Sequence, residues 1–167
     1  ELKEEIRKDI QNYYDQRTEE LVRGKLVGEI VKNNDFVPPK SLVNNILEEY
    51  VKSEEEQSKK SKYPFNKEES RKRLLNSAEN EVKWYLIKYE IQKSEKITVN
   101  DDEIKELAEK EAEKIGIPVD KLINYYKTSN QTERELDQKL FDFLKSNNTI
   151  NKVHPDKLKA KQEAVNE

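Results

Sequence analysis

The sequence has no cysteine, no methionine, one histidine, three glycines and five prolines among 167 residues. Without cysteine there is no disulfide and no thiolate metal ligand. With a single histidine there is no Ser/His/Asp arrangement and no HExxH zinc motif, which excludes most catalytic arrangements before any position is read. No run approaches the roughly 20 apolar residues of a membrane-spanning helix. The first residues, Glu1-Leu2-Lys3-Glu4-Glu5, lack the apolar stretch of a signal peptide, and a start at Glu rather than Met reads as a piece of a longer protein. An excess of positive charge is missing too: 32 basic residues face 35 acidic ones for a net charge of -3, with an isoelectric point near 5.6. A nucleic acid or an anionic bilayer needs a strong positive field, so neither is expected as a partner.

Charge and helical periodicity are what the chain does have. Charged residues make up 40% and the apolar set 33%, with a mean hydropathy of -1.13. The apolar residues recur with a period rather than thinly, which argues for folded helices and against disorder. From Leu2 through Ile6, Ile10, Tyr13, Leu21, Leu26, Ile30 and Val31 the spacing predicts one helix to about Lys32. At 1.5 Å per residue it is about 45 Å long, longer than the roughly 40 Å diameter of a compact globule of this size. Phe36-Val37-Pro38-Pro39 forces an extended connection, because a residue before proline avoids the helical region, and Pro39 suits the first turn of a second helix.

That second helix pairs Leu42/Val43, Ile46/Leu47 and Tyr50/Val51, then fades into residues 52–62, which contain nothing apolar and read as a solvated helix end or tip. Asn66 with Glu69 resembles a capping box and opens a third helix whose stripe, Leu74 to Ile91, is expected to be the centre of the core. Asn100 with Glu103 repeats the cap signature for a fourth helix, which Gly116 ends in a left-handed cap. Pro118 restarts a short fifth helix through Leu122 and Tyr126, and a sixth runs from about Ser129 to Leu144. No strand-length alternation appears. The predicted class is all-α, followed by a polar tail over residues 151–167 that is expected to lie back on the body as an extended strip.

Most candidate sites reduce to plain structure. The carboxylates sit among lysines and arginines on charged helices, the pattern of a solvated face, so no acid/base pair is named and no enzyme, cofactor or metal is expected. His154 stands in the tail without a ligand partner and reads as a surface residue. Lys152, Lys157, Lys159 and Lys161 form a mild basic strip with no aromatic interleaving, which does not suit nucleic-acid stacking. Gly24 and Gly28 have the spacing that lets a neighbouring helix approach closely. What is left is a set of apolar and tyrosine-rich stripes on helices with few partners, and exposed apolar patches mark binding surfaces.

Val27-Gly28-Glu29-Ile30-Val31-Lys32-Asn33-Asn34-Asp35-Phe36-Val37-Pro38, followed by Ser41-Leu42-Val43, resembles the LVxxNxFxVPxSLV segment of the bacterial chaperone family called trigger factor. Arg71 to Glu95, then Ile97-Thr98-Val99-Asn100-Asp101-Asp102-Glu103-Ile104, Gly116 and Leu122-Ile123-Asn124-Tyr125-Tyr126-Lys127, are similar to later segments of that family in the same order. The resemblance implies its C-terminal, substrate-binding domain over residues 1–150: an elongated helical body with two projecting helical arms, at about 39–65 and 95–126. It also implies a cytoplasmic, ATP-independent chaperone that holds unfolded or nascent polypeptides. Ribosome docking and prolyl isomerase activity belong to other domains of the family, which are not visible here; a weak homodimer stays open. Carried over by position, the client-facing residues are Leu47, Tyr50 and Val51 on the first arm and Ile115, Ile117, Leu122 and Tyr125 on the second, while Val43, Ile46 and Tyr126 close the arm hairpins. The alternatives are the helical domain of a SurA-type periplasmic chaperone and a non-chaperone scaffold for one folded partner.

Overall fold

A computed structural model describes residues 2–151 and 153 of the chain. The described residues form six helices and no strand: α1 (Leu2–Asn33), α2 (Lys40–Ser61), α3 (Lys67–Ser94), α4 (Asp101–Ile115), α5 (Val119–Thr128) and α6 (Gln131–Ser146). The all-α class follows from the periodicity, and the ends follow from the cap residues. Asn66 Oδ1 accepts the N–H groups of Glu68 and Glu69 at 3.1 and 3.3 Å, which satisfies donors that the first helical turn leaves orphaned. At α4 the box is reciprocal. The Glu103 N–H donates to Asn100 Oδ1 at 3.0 Å, and the Asn100 N–H donates back to Glu103 Oε2 at 2.9 Å. Gly116 ends α4 at φ 70°, a left-handed conformation that glycine adopts without a Cβ clash. Pro39 is the N-cap of α2, one position before the first-turn place expected for it. The strip expected in the tail, with His154, Lys152, Lys157, Lys159 and Lys161, lies outside the described residues.

Within the span expected to be one domain, the chain divides into two compact units, residues 1–98 and 99–167. In the first, α2 and α3 form an antiparallel hairpin around Val43, Leu47, Val51, Ala78 and Val82, with Ile46, Tyr50, Phe65, Leu74 and Leu86 packed at its margin. Glu48 on α2 pairs with Arg71 and, at 3.5 Å, with Lys67; Glu54 pairs with Arg73. The apolar-free segment 52–62 is an ordered helix end. Ser58 is buried and its hydroxyl donates to the Tyr63 carbonyl at 2.6 Å, and Lys62 turns the chain with a left-handed φ of 57°. The link from α1 to α2 is pinned to α3: the Lys83 ammonium sits 3.6 Å from Asp35 Oδ1 and 5.8 Å from the centre of the Phe36 ring, and Pro38 is buried.

Two expectations for this unit are corrected. The α1 stripe was read as continuous from Leu2 to Val31, yet every residue from Leu2 to Thr18 is exposed, and α1 meets α3 only toward its C-terminal end, where Leu26 and Ile30 are half-buried and Val31 is buried. The stretch Leu74 to Ile91 was read as the centre of the core. Only Ala78 and Val82 are fully buried within it, while Leu75, Tyr85 and Tyr89 are exposed. A single hairpin partner can cover only one side of a helix, and α3 carries apolar residues on more than one.

In the second unit α4 and α5 form a hairpin around Ile104, Ala108, Ala112, Leu122 and Tyr126, bordered by Val99, Leu107, Val119 and Ile123. α6 buries Leu140, Phe141 and Leu144. Lys139 on α6 pairs with Glu103, the same carboxylate that completes the α4 cap, and Lys127 lies 3.5 Å from Asp101.

Candidate functional site

The second unit shows how adjacent positions of one helix acquire different roles. Tyr126 points into the α4–α5 core, where its hydroxyl donates to the Glu111 carboxylate. Burial first, and that carboxylate second, push its pKa up to about 12. Tyr125 is one residue earlier, hence rotated by about 100°, and it is 61% exposed with its ring 5.9 Å from that of Tyr126. Ile115 and Ile117, flanking Gly116 at the turn between α4 and α5, are exposed as well. Tyr125, Ile115 and Ile117 thus lie on one hairpin as uncovered apolar groups.

The remaining predicted site residues divide the other way. Leu47 and Val51 are 3% and 2% exposed in the α2–α3 core, and Leu122 is 7% exposed in the α4–α5 core. They are sealed by the protein's own side chains and present nothing to another chain. The reason is pairing: each hairpin supplies a second helix that covers the stripe on the first. Tyr50 is half-buried at the edge of the α2–α3 core and lines an open cleft of about 420 Å³ with Tyr63, Glu54, Arg73 and Leu74. Val43 and Tyr126 are buried and Ile46 is half-buried, the closing positions expected for them.

Reading the sequence missed the largest uncovered apolar set. Leu2, Ile6, Ile10, Tyr13, Tyr14 and Leu21 on α1 are all exposed, as are Tyr85 and Tyr89 on α3. A Cβ built at Gly24 or Gly28 meets no atom within 4 Å, so the close helix approach expected at these glycines is not made. The signal was present in the spacing. At about 100° per residue, Leu2, Ile6, Ile10, Tyr13 and Leu21 fall within an arc of about 100°, whereas the half-buried Val22, Arg23, Leu26 and Ile30 centre roughly 150° away; the buried Val31 returns to the first arc where α1 meets α3. Near its C-terminal end α1 borders an open cleft of about 680 Å³, lined by Val27, Gly28, Val31, Asn80, Lys83 and Trp84. Among the described residues there is no cluster of His, Asp or Glu that could hold a metal, and no helix is long and apolar enough to cross a membrane.

The geometry is therefore that of separate apolar surfaces on charged helices. The family model for the bacterial trigger factor protein C-terminus matches residues 1–154. The chain belongs to this family. Its relatives include trigger factors of Chloroherpeton thalassium (27% identical over 157 residues, 90% of this chain and 36% of the relative), Salinibacter ruber (25% over 150 residues, 86% and 32%) and Chlorobaculum tepidum (28% over 162 residues, 91% and 37%). The chain spans about a third of the length of these curated relatives. No solved structure matches it. Membership in the trigger factor family places the chain in a chaperone family.

Proposed function

We propose that this chain is the substrate-holding part of a cytoplasmic, ATP-independent chaperone, and that it binds unfolded or nascent polypeptides through dispersed apolar patches. The observation that carries this reading is the exposure of large apolar side chains in separate places: Leu2, Ile6, Ile10, Tyr13 and Leu21 on α1, and Ile115, Ile117 and Tyr125 on the α4–α5 hairpin. Removing apolar area from water contributes about 25 cal/mol per Å², so a 200 Å² contact gives roughly 5 kcal/mol before ordering costs. One patch holds weakly. Several patches engaging one client raise each other's effective concentration, which gives net affinity together with fast local release. No step of such holding needs a nucleotide. The surrounding charge keeps the empty protein dispersed. Ribosome docking, on this reading, is the work of a separate domain.

Leu47, Val51 and Leu122 drop out as contact residues because they are buried, and Tyr50 contributes only its cleft edge. The test is suppression of aggregation of a denatured client. Ile10→Ser with Tyr13→Ser, and separately Ile117→Ser with Tyr125→Ser, should leave helicity unchanged and each weaken holding several-fold. Undiminished holding by both variants would overturn the assignment. A scaffold for one folded partner is separated by titrating several unrelated unfolded polypeptides, since a scaffold ignores most of them.

A further inference from the structure

The uncovered face of α1 is a ridge rather than a groove, and this restricts what fits it. Leu2, Ile6 and Ile10 recur eleven residues later as Tyr13, Arg17 and Leu21, and then as Gly24 and Gly28. An eleven-residue repeat corresponds to about 3.67 residues per turn, close to the 3.6 of a straight helix, so the apolar stripe from Leu2 to Leu21, interrupted by Arg17, runs nearly straight along the axis for about 30 Å and continues over the two glycines. Among the described residues of the first unit, no helix stands beside residues 2–18 to form a second wall. A convex ridge of this kind cannot enclose an extended strand. Another helix can pack on it, ridge into groove, and at Gly24 and Gly28 the open space lets that helix come close.

Charge specifies the visitor further. At about 100° per residue, Lys3, Arg7, Lys25 and Lys32 border one side of the stripe, and Asp9 and Glu20 border the other. A visiting helix with an apolar stripe, an acidic flank and a basic flank matches both borders in one orientation. Its end would reach the cleft lined by Val27, Val31 and Trp84, where the stripe meets α3.

Resting on the chaperone reading above, we propose that the α1 face takes client segments that are already amphipathic helices, and not extended ones. The occupant is a helix of about 20 residues with opposite charges on its two flanks. A helical visitor also supplies what residues 2–18 lack, since a helix of this length without tertiary partners is marginal in water.

The experiment titrates the whole chain with two labelled 22-residue peptides of identical composition. One repeats leucine at helical spacing between a glutamate flank and a lysine flank; the other alternates leucine and charge at a spacing of two. Binding at least tenfold tighter to the helical peptide, lost in Ile6→Asp with Ile10→Asp while the far-ultraviolet spectrum of the free chain is unchanged, is the expected result. Equal affinity for the two peptides overturns the proposal even if client holding persists. A preference that survives the double substitution overturns it as well. So does self-association of the chain that the double substitution abolishes, because a second copy would then be the occupant. Failure of holding together with failure of both peptides to bind rejects the chaperone reading and this one with it.

Discussion

α2 and the first half of α1 carry the same sequence pattern and meet opposite fates. Both place aliphatic and tyrosine side chains at helical spacing amid lysine and glutamate. On α2 the stripe disappears under α3, leaving Leu47 and Val51 almost without exposure, whereas on α1 no described helix of the same unit covers Leu2 to Tyr13, which are exposed. Periodicity identifies which side of a helix is apolar. Whether that side is core or contact surface depends on whether the chain returns with a second stripe at the right distance, and α3 does so only for α2.

The sharpest way to break this comparison is to make one substitution in both stripes. Leu47→Ala removes a buried side chain and leaves a cavity, and it should cost about 2–4 kcal/mol. Ile10→Ala, on the exposed face, should stay within about 0.5 kcal/mol. Urea denaturation of the two variants against the parent chain measures the difference. Similar losses at both positions would show that α1 is covered in solution and would erase the distinction between the two stripes.

The second hairpin offers a smaller and pH-dependent version. Tyr126 is the buried member of the Tyr125/Tyr126 pair, and its folded pKa, about 12, lies above the ordinary 10.0. Raising the folded value means that the protonated hydroxyl, donating to Glu111, is favoured by folding. Its contribution is complete below pH 10 and is lost as the pH rises toward 12. Stability of the second unit should therefore fall between pH 10 and 12 in the parent chain. Tyr126→Phe should lose about 1 kcal/mol at neutral pH and show a shallower alkaline decline, while Tyr125→Phe should change neither. An unchanged alkaline slope in Tyr126→Phe would remove the buried hydroxyl from the explanation. At the acid end, Glu103 is held below its ordinary 4.5 by Lys139 first and by the Asn100 N–H second. The same linkage makes the α4 cap loosen as the pH falls below that ordinary value.

How far the sequence could be read follows from the same physics. Helix boundaries were legible because their causes are local: Asn66 and Asn100 as caps, Gly116 as a left-handed stop, Pro39 and Pro118 as starts. The family was legible because several segments, from the Val27 to Pro38 stretch through Leu122 to Lys127, follow one another in the family's order, and none of them alone suffices. The apolar residues were placed on the correct helices, but their division between core and surface was legible only in part: Ile115, Ile117 and Tyr125 are exposed, whereas Leu47, Val51 and Leu122 are buried. Leu47, Val51 and Leu122 were carried over by position from the family resemblance, and position along the chain does not say which side of a stripe a hairpin partner covers. The α1 face was overlooked because Leu26 and Ile30 were added to it by spacing alone, which hid their rotation away from the exposed stripe.

The smallest expected effect concerns the turns that close the hairpins. The α4–α5 turn uses Gly116 at φ 70°, where glycine carries no steric cost, whereas the α2–α3 turn uses Lys62 at φ 57°. A non-glycine residue in the left-handed region costs roughly 1–2 kcal/mol, and part of what glycine saves there is returned by the greater freedom of its unfolded chain. Lys62→Gly should therefore raise stability by about 0.5–1 kcal/mol, and Gly116→Lys should lower it by a similar amount. The Ser58 hydroxyl bond to the Tyr63 carbonyl holds the turn in both the parent and the Lys62 variant, so a gain would be conformational in origin and not a new contact. If Lys62→Gly instead destabilises the hairpin, the lysine side chain itself braces the turn, and the two turns differ in kind rather than in strain.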